Sequence, residues 1–229
     1  MRKMLNRILS RSKGSPFEID SSIPLSYLFY LTLCRGIMLW RGFFSRIKNG
    51  GLFFIGSGVI IKARSKITVG HLVTINRGCY IDALSTDGVF FGDNVSLGKK
   101  ITIECTGNLQ LIGKGLKVGN NVGLGADNFF GCAGGIEIGD DTIMGNFISL
   151  HSENHNYSDP AVPIRLQGVT RVGIKLGKNC WIGSKVTILD GAVIEDGCII
   201  AAGSVVKAGI YKANGIYGGV PASLIKQRF

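Results

Sequence analysis

From residue 55 onward, large aliphatic residues return at every sixth position, with small or polar residues between them. The longest unbroken run reads LGKNCW, IGSKVT, ILDGAV, IEDGCI, IAAGSV, led by Leu176, Ile182, Ile188, Ile194 and Ile200, with Val206 next. The fifth place of each hexad is small or β-branched: Cys180, Val186, Ala192, Cys198 and Ser204. A helix needs apolar residues at three- and four-residue steps, and a hairpin sheet needs longer alternating strands. A period of six fits neither. It predicts a coil of very short strands joined by tight turns, each side pointing one large aliphatic inward onto the next coil. Glycine, at 34 residues, is in excess without the period of collagen, as expected if glycines turn the corners at positive φ.

The same spacing runs upstream through Ile55 and Ile61; Val69, Ile75 and Ile81; Phe91, Leu97 and Ile103; Val118, Leu124 and Phe130; and Ile138, Met144 and Leu150. Grouped in threes, the breaks all fall between the last lead of one coil and the first of the next, from Ile81 to Phe91, Ile103 to Val118, Phe130 to Ile138, and Leu150 to Leu176. The insertions therefore stack along one edge of a three-sided prism, where a rigid scaffold carries functional loops. The longest holds His151 and His155, two of the three histidines in the chain.

Residues 1–50 have another character. An uncharged run from Ser21 to Cys34 is followed by Arg35, too early for a bilayer span of about 20 apolar residues. No small-residue cleavage site marks it as a signal peptide. Leu25, Leu28, Phe29 and Leu31 recur at helical steps, which predicts a helix packed on the repeat or a subunit, or lying on a membrane. Nine basic residues here (Arg2, Lys3, Arg7, Arg11, Lys13, Arg35, Arg41, Arg46, Lys48) face only Glu18 and Asp20, so 9 − 2 = 7 of the net +11 lies in this segment. Such a surplus favours an anionic partner. The six cysteines are scattered without a CxxC pair, which fits reduced thiols in the cytoplasm.

The segment HNYSDPAVPIRLQG, followed by LGKNCWIGSKVTILDG, AAGSVV and GGVPASLIKQR, resembles the left-handed β-helix acyltransferases with hexapeptide repeats, and most of all bacterial O-acetyltransferases that decorate surface polysaccharides. The resemblance covers residues from about 55 to 229. It implies an all-β fold, a left-handed parallel β-helix over 51–210 with a catalytic loop at 151–175, preceded by a short helical segment at 1–50 and closed by a tail at 211–229. It also implies a homotrimer using acetyl-CoA in a cleft between prisms, with His155 as general base and the backbone N–H of Ser184 facing the oxyanion. His151 is the lesser candidate for that base and reads more readily as a structural or solvent-facing histidine. Ser184 and Ala202 would meet pantetheine, and Lys207, Lys226 and Arg228 the phosphates. The sequence reads SVVKAGIY where the family often reads SVVTKDIP, so the register of Lys207 is shifted. Asp127 and Asn128, placed on the insertion edge, are candidates for a sugar or glycan acceptor, with Asp127 alternatively orienting the base. Asn154, Tyr157 and Glu153 flank His155, and Glu153 also reads as an ordinary exposed acid. Trp181 reads as scaffold packing. Cys180 and Cys198 read as core.

Three rival readings remain. Carbonic anhydrases of the same prism bind zinc through three histidines, but His71 lies three coils below His151 and His155, so no metal is expected. A plain solenoid scaffold would not need the histidine loop beside WIG and a basic tail. Nucleic acid is not an expected partner, because no binding motif accompanies the charge. Amino-sugar N-acetylation and acetylation of a small xenobiotic stay open as alternative reactions. The basic, aromatic arm also predicts peripheral contact with the inner membrane, near lipid-linked sugars.

Overall fold

The computed structural model describes residues 2–13 and 16–229. The side chains of Arg11 and Lys13 lie outside the described residues. Short strands wind into three sheets of eight, nine and seven strands, the faces of a left-handed triangular prism, and all run parallel except the last strand of the second sheet. In each coil the chain crosses the first face, turns a first corner, crosses the second face, turns a second corner, crosses the third face, and climbs through a third corner to the next coil. The fifth coil, for example, uses Ile136–Ile138, Ile143–Met144 and Ser149–His151.

The period of six becomes the core directly. Val69, Phe91, Val118, Ile138, Leu176 and Ile194 stack inside the first face, all buried. Ile75, Leu97, Leu124, Met144, Ile182 and Ile200 do so inside the second, and Ile81, Ile103, Phe130, Leu150, Ile188 and Val206 inside the third. The fifth-place residues Cys180, Val186, Ala192, Cys198 and Ser204 are buried too. Burial pushes the Cys180 thiol up to about 11 and Cys198 in the same direction, as suits thiols packed in a core.

Some corner glycines take positive φ as expected, such as Gly197 at 71° and Gly203 at 73°, and others serve a different need. The left-handed place in many corners is taken by other residues, such as Asn179 at φ 53° and Lys185 at φ 61°. Gly177 and Gly183 precede them for lack of room. A Cβ on Gly183 would sit 2.5 Å from the backbone N of Ala202, and one on Gly177 would sit 2.7 Å from that of Asp196. Coils stacked at the strand spacing of about 4.8 Å leave no space for a side chain there.

Two helices precede the prism. α1 spans Arg2–Lys13 and α2 spans Leu25–Phe43. Pro24, at φ −61°, stands just before α2, where its missing N–H costs nothing. α2 lies on the outside of the second face over the lowest coils. Leu28 and Gly42 are its buried residues, and a Cβ on Gly42 would overlap the carbonyl of Phe53. Arg35 donates to Thr74 Oγ1 at 2.9 Å, its guanidinium 4.7 Å from the centre of the Phe54 ring. No helix among the described residues is long and apolar enough to cross a membrane. At the far end, Gly209–Tyr211 and Gly215–Gly219 extend the coil, and Ala222–Gln227 folds back antiparallel on the latter. That reversal covers the open edge of the second face.

Candidate functional site

The chain leaves the third face at His151 and rejoins the first face at Ile174. Between them a small antiparallel ladder pairs Asn154 with Thr170 and His155 with Val169. Both ends of this hairpin are anchored. Ser152 Oγ donates to the Gly131 carbonyl at 2.7 Å and accepts the Gly134 N–H at 2.9 Å. The buried Asp190 accepts the N–H groups of Val172 at 3.0 Å and Gly173 at 2.7 Å. Gln167 Nε2 donates to the carbonyls of Asp159 and Val162, closing the tip. Arg171 is the largest tie. Its Nε meets Glu153 Oε2 at 2.6 Å, and its Nη1 reaches the carbonyls of Leu111 and Ile112 at 3.3 and 3.2 Å. Two insertions of the same edge are thereby joined, and the backbone carrying His155 is braced at several points.

Beside the hairpin lies a cleft of about 290 Å³ lined by Glu104, Gly107, Phe129, Gly131, Ala133, His151, Ser152, Glu153 and His155. Glu104, Gly131 and His151 are register neighbours on the outside of the third face. The His151 ring lies 5.5 Å from that of Phe129, tilted by 35°. The side-chain-free Gly131 leaves room for the Phe129 ring, which a Cβ there would approach to 3.3 Å. Two imidazoles and two carboxylates thus line one cleft. A neutral imidazole in such a place can take a proton from a hydroxyl.

The other expected site residues are distributed over different corners. Ser184 and Ala202 sit at the second corner of successive coils, where Gly203 N–H donates to the Ser184 carbonyl at 2.9 Å. Along this corner Ala126 N–H donates to Asn146 Oδ1, and Asn146 N–H to Ser184 Oγ. Ala202 offers only a methyl, so among the described residues the Ser184 N–H meets no acceptor. An exposed N–H beside a small residue fits an approaching carbonyl or an amide-bearing chain. Lys207 is exposed at the third corner. Lys226 pairs with Ile216 in the last ladder, and Arg228 Nη1 donates to Gly197 O at 2.7 Å by the first corner. One chain therefore does not bring Lys207, Lys226 and Arg228 together with Ser184. Nor does it join Ser184 to His155, for a full width of the third face separates their corners.

Two expectations are corrected. Asp127 and Asn128 lie at the second corner, not on the insertion edge. Asn128 is 1 % exposed; its Nδ2 donates to Gly145 O at 3.1 Å and its Oδ1 accepts Ile148 N–H at 2.8 Å. Its polar atoms are engaged in holding adjacent coils, so it is not available to an acceptor. Asp127 occupies the left-handed place, φ 57°, and is exposed away from the histidine cleft. Trp181 also differs from expectation: it stands on the outside of the second face, 53 % exposed, between Ile143 and Ile199. Asn154 and Tyr157 are exposed on the hairpin. His71 sits at the first corner, where its Nδ1 accepts Leu52 N–H at 3.2 Å, and the three histidines do not converge. Among the described residues no group of three His, Cys, Asp or Glu side chains is placed to hold a metal ion.

Glu104, Phe129 and Arg171 were not among the residues the sequence singled out, and His151 ranked there below His155. The period carried part of the signal, since Glu104 and His151 each follow a third-face lead, Ile103 and Leu150, and so face outward in one column. For Arg171 no sequence signal existed, because two of its three partners lie about 60 residues away.

Comparison with known proteins agrees with the repeat. The family described as Bacterial transferase hexapeptide (six repeats) matches residues 173–208. The Mycobacterium tuberculosis protein Rv3034c, named as a probable acetyltransferase, is 29 % identical over 144 residues, 63 % of this chain. The chain spans 40 % of that protein's length. WbbJ of Escherichia coli, named for O-acetyl transfer in lipopolysaccharide biosynthesis, is 24 % identical over 172 residues, 72 % of this chain and 71 % of WbbJ. Among solved structures, a variant of AntD, an N-acyltransferase from Bacillus cereus in complex with dTDP-4-amino-4,6-dideoxyglucose and coenzyme A, is similar with a TM-score of 0.54. It is 20 % identical, with 92 % of each chain covered. By its six-residue period, its stacked coils and these matches, the chain carries hexapeptide repeats and folds as a left-handed β-helix similar to those of bacterial acyltransferases.

Proposed function

We propose that this protein is an acetyl-CoA-dependent O-acetyltransferase acting on a sugar hydroxyl in the biosynthesis of a surface polysaccharide such as a capsule, O-antigen or exopolysaccharide. The observation that carries this reading is the braced hairpin that presents His155 to a cleft shared with His151, Glu104 and Glu153. His155 takes the proton of the acceptor hydroxyl as its oxygen attacks the thioester carbonyl. The Ser184 N–H faces the oxygen that becomes negative, which is the role of a preorganised donor. His155, now an imidazolium, returns the proton to the departing thiolate, so no covalent enzyme intermediate is needed. Names given to WbbJ and Rv3034c support acetyl transfer, and that of WbbJ supports a polysaccharide.

A homotrimer is part of the proposal. His155 and Ser184 lie at different corners of one chain, and in the trimer we propose the third corner of each prism meets the second corner of a neighbour. Ile143, Phe147 and Trp181, exposed on the second face and its corner, support a subunit contact there. In that arrangement Lys207, Lys226 and Arg228 offer charge to the cofactor phosphates from more than one subunit. All six cysteines are free, which supports a cytoplasmic location, with residues 1–50 resting on the inner membrane face.

The test is release of free CoA thiol with a panel of hexoses and amino sugars, with the product treated with hydroxylamine. Esters are cleaved and amides survive, so the outcome separates O- from N-acetyl transfer. Full activity in His155→Ala would sink the mechanism.

A further inference from the structure

We infer that the space between α2 and the second corner of the lowest coils is a binding site for lipid phosphate at the surface of an anionic bilayer. The membrane contact proposed above rested on the charge of residues 1–50. This inference rests on that reading and extends it to a site that the prism itself helps to build.

Two features lie side by side along α2. One is a cleft of about 610 Å³ whose cations are Arg35 and Arg41 from the helix and Arg77 and Lys99 from second corners of the second and third coils. No carboxylate lines it. Among the described residues none of these four cations forms an ion pair, and the salt bridges of the chain all lie elsewhere. Four cations left without counter-charge repel one another, so an anion entering the cleft removes that cost. The other feature is the adjoining apolar face of α2. Phe29, Leu33, Ile37 and Trp40 line a shallow groove floored by Gly36, beyond which no atom of the chain approaches. Phe29 and Trp40 are each 64 % exposed, and Phe43 and Phe44 continue the surface. Ile37 borders both features.

Charge complementarity selects the occupant. A second copy of the chain would bring its own surplus of cations against the cleft, whereas a bilayer supplies phosphates at the depth where hydrocarbon begins. Apolar side chains beside unpaired cations along one helix match that boundary, with an aromatic residue such as Trp40 at the headgroup level. Arg77 and Lys99 belong to the coils, so the prism is held at a set orientation rather than tethered by a loose arm.

The test is co-sedimentation of the full chain with phosphatidylcholine vesicles with and without phosphatidylglycerol. Binding is expected only with phosphatidylglycerol and should fall as salt rises. The double variant Arg77→Glu with Lys99→Glu should weaken vesicle binding about tenfold or more. Both residues are exposed at corners, and an unchanged circular dichroism spectrum checks the fold. Trp40→Glu should weaken binding as well. Equal binding to neutral vesicles, or no loss in the double variant, overturns the site. So does a Trp40→Glu protein that changes its mass in solution while the unaltered protein ignores vesicles, since α2 would then be a subunit contact. CoA release on a water-soluble sugar, assayed without lipid, tests the acetyltransferase reading separately.

Discussion

The second and third corners of the prism start from the same repeat and end in opposite states. At the second corner the turns stay short from coil to coil, with Gly183 and Ala202 packed backbone to backbone. At the third, the connection ranges from Asp190–Gly191 to the excursion over residues 152–173. The tight corner stacks backbone on backbone and leaves the Ser184 N–H open there, while the side chains it carries, such as Arg77 and Lys99, point outward. The loose corner can bring His155, Arg171 and Glu153 together because nothing stacks on it. On this view the chemistry is divided, with charge stabilisation from the regular corner and proton transfer from the irregular one.

The largest effect is expected from removing the base. His155→Ala should lower kcat/KM by about 10²–10⁴-fold, while CoA binding measured by calorimetry stays unchanged because the second corner is untouched. A comparable loss in CoA affinity would show that the two corners are not separable. Next comes the brace. Arg171→Ala frees Glu153 and unties Leu111 and Ile112 from the hairpin, and kcat should fall about tenfold to a hundredfold through misplacement of His155. Arg171→Lys, which keeps the charge but not the several bonds, should recover only part of the loss.

Substitutions at the second corner should act on stability instead. Gly183→Ala places a Cβ against the backbone of Ala202 and should cost about 1–3 kcal/mol, read as a lower midpoint of thermal unfolding. Asn128→Ala removes two buried hydrogen bonds, with a cost of about 1–3 kcal/mol, and kcat per folded enzyme should not change. The smallest effect belongs to Asp127→Asn, which tolerates the same left-handed backbone; activity should stay within about twofold. A large loss of activity there would mean that an acceptor reaches the second corner.

What was legible in the sequence follows from how a repeat encodes structure. Inward residues such as Ile182, Ile188 and Ile194 face the core because of their position in a six-residue step, and each contact is with the next coil of the same pattern. Spacing alone therefore yielded the coils, the buried fifth-place residues and the edge that carries insertions. The same reasoning failed at the corners. Asn128 and Asp127 are adjacent and polar, yet one is buried in the ladder between coils and the other is in solvent; composition cannot distinguish them, since the difference lies in where each side chain points after the turn. The cleft unites Glu104, His151 and His155 from two coils separated by another, and the brace joins Arg171 to an insertion far away in sequence. The stack can be read from the residues alone, because stacking energy is written locally and repeated. Which outward side chains meet, and where α2 leaves its apolar face uncovered, emerges only in the folded chain, because those contacts depend on loops and a helix that obey no period.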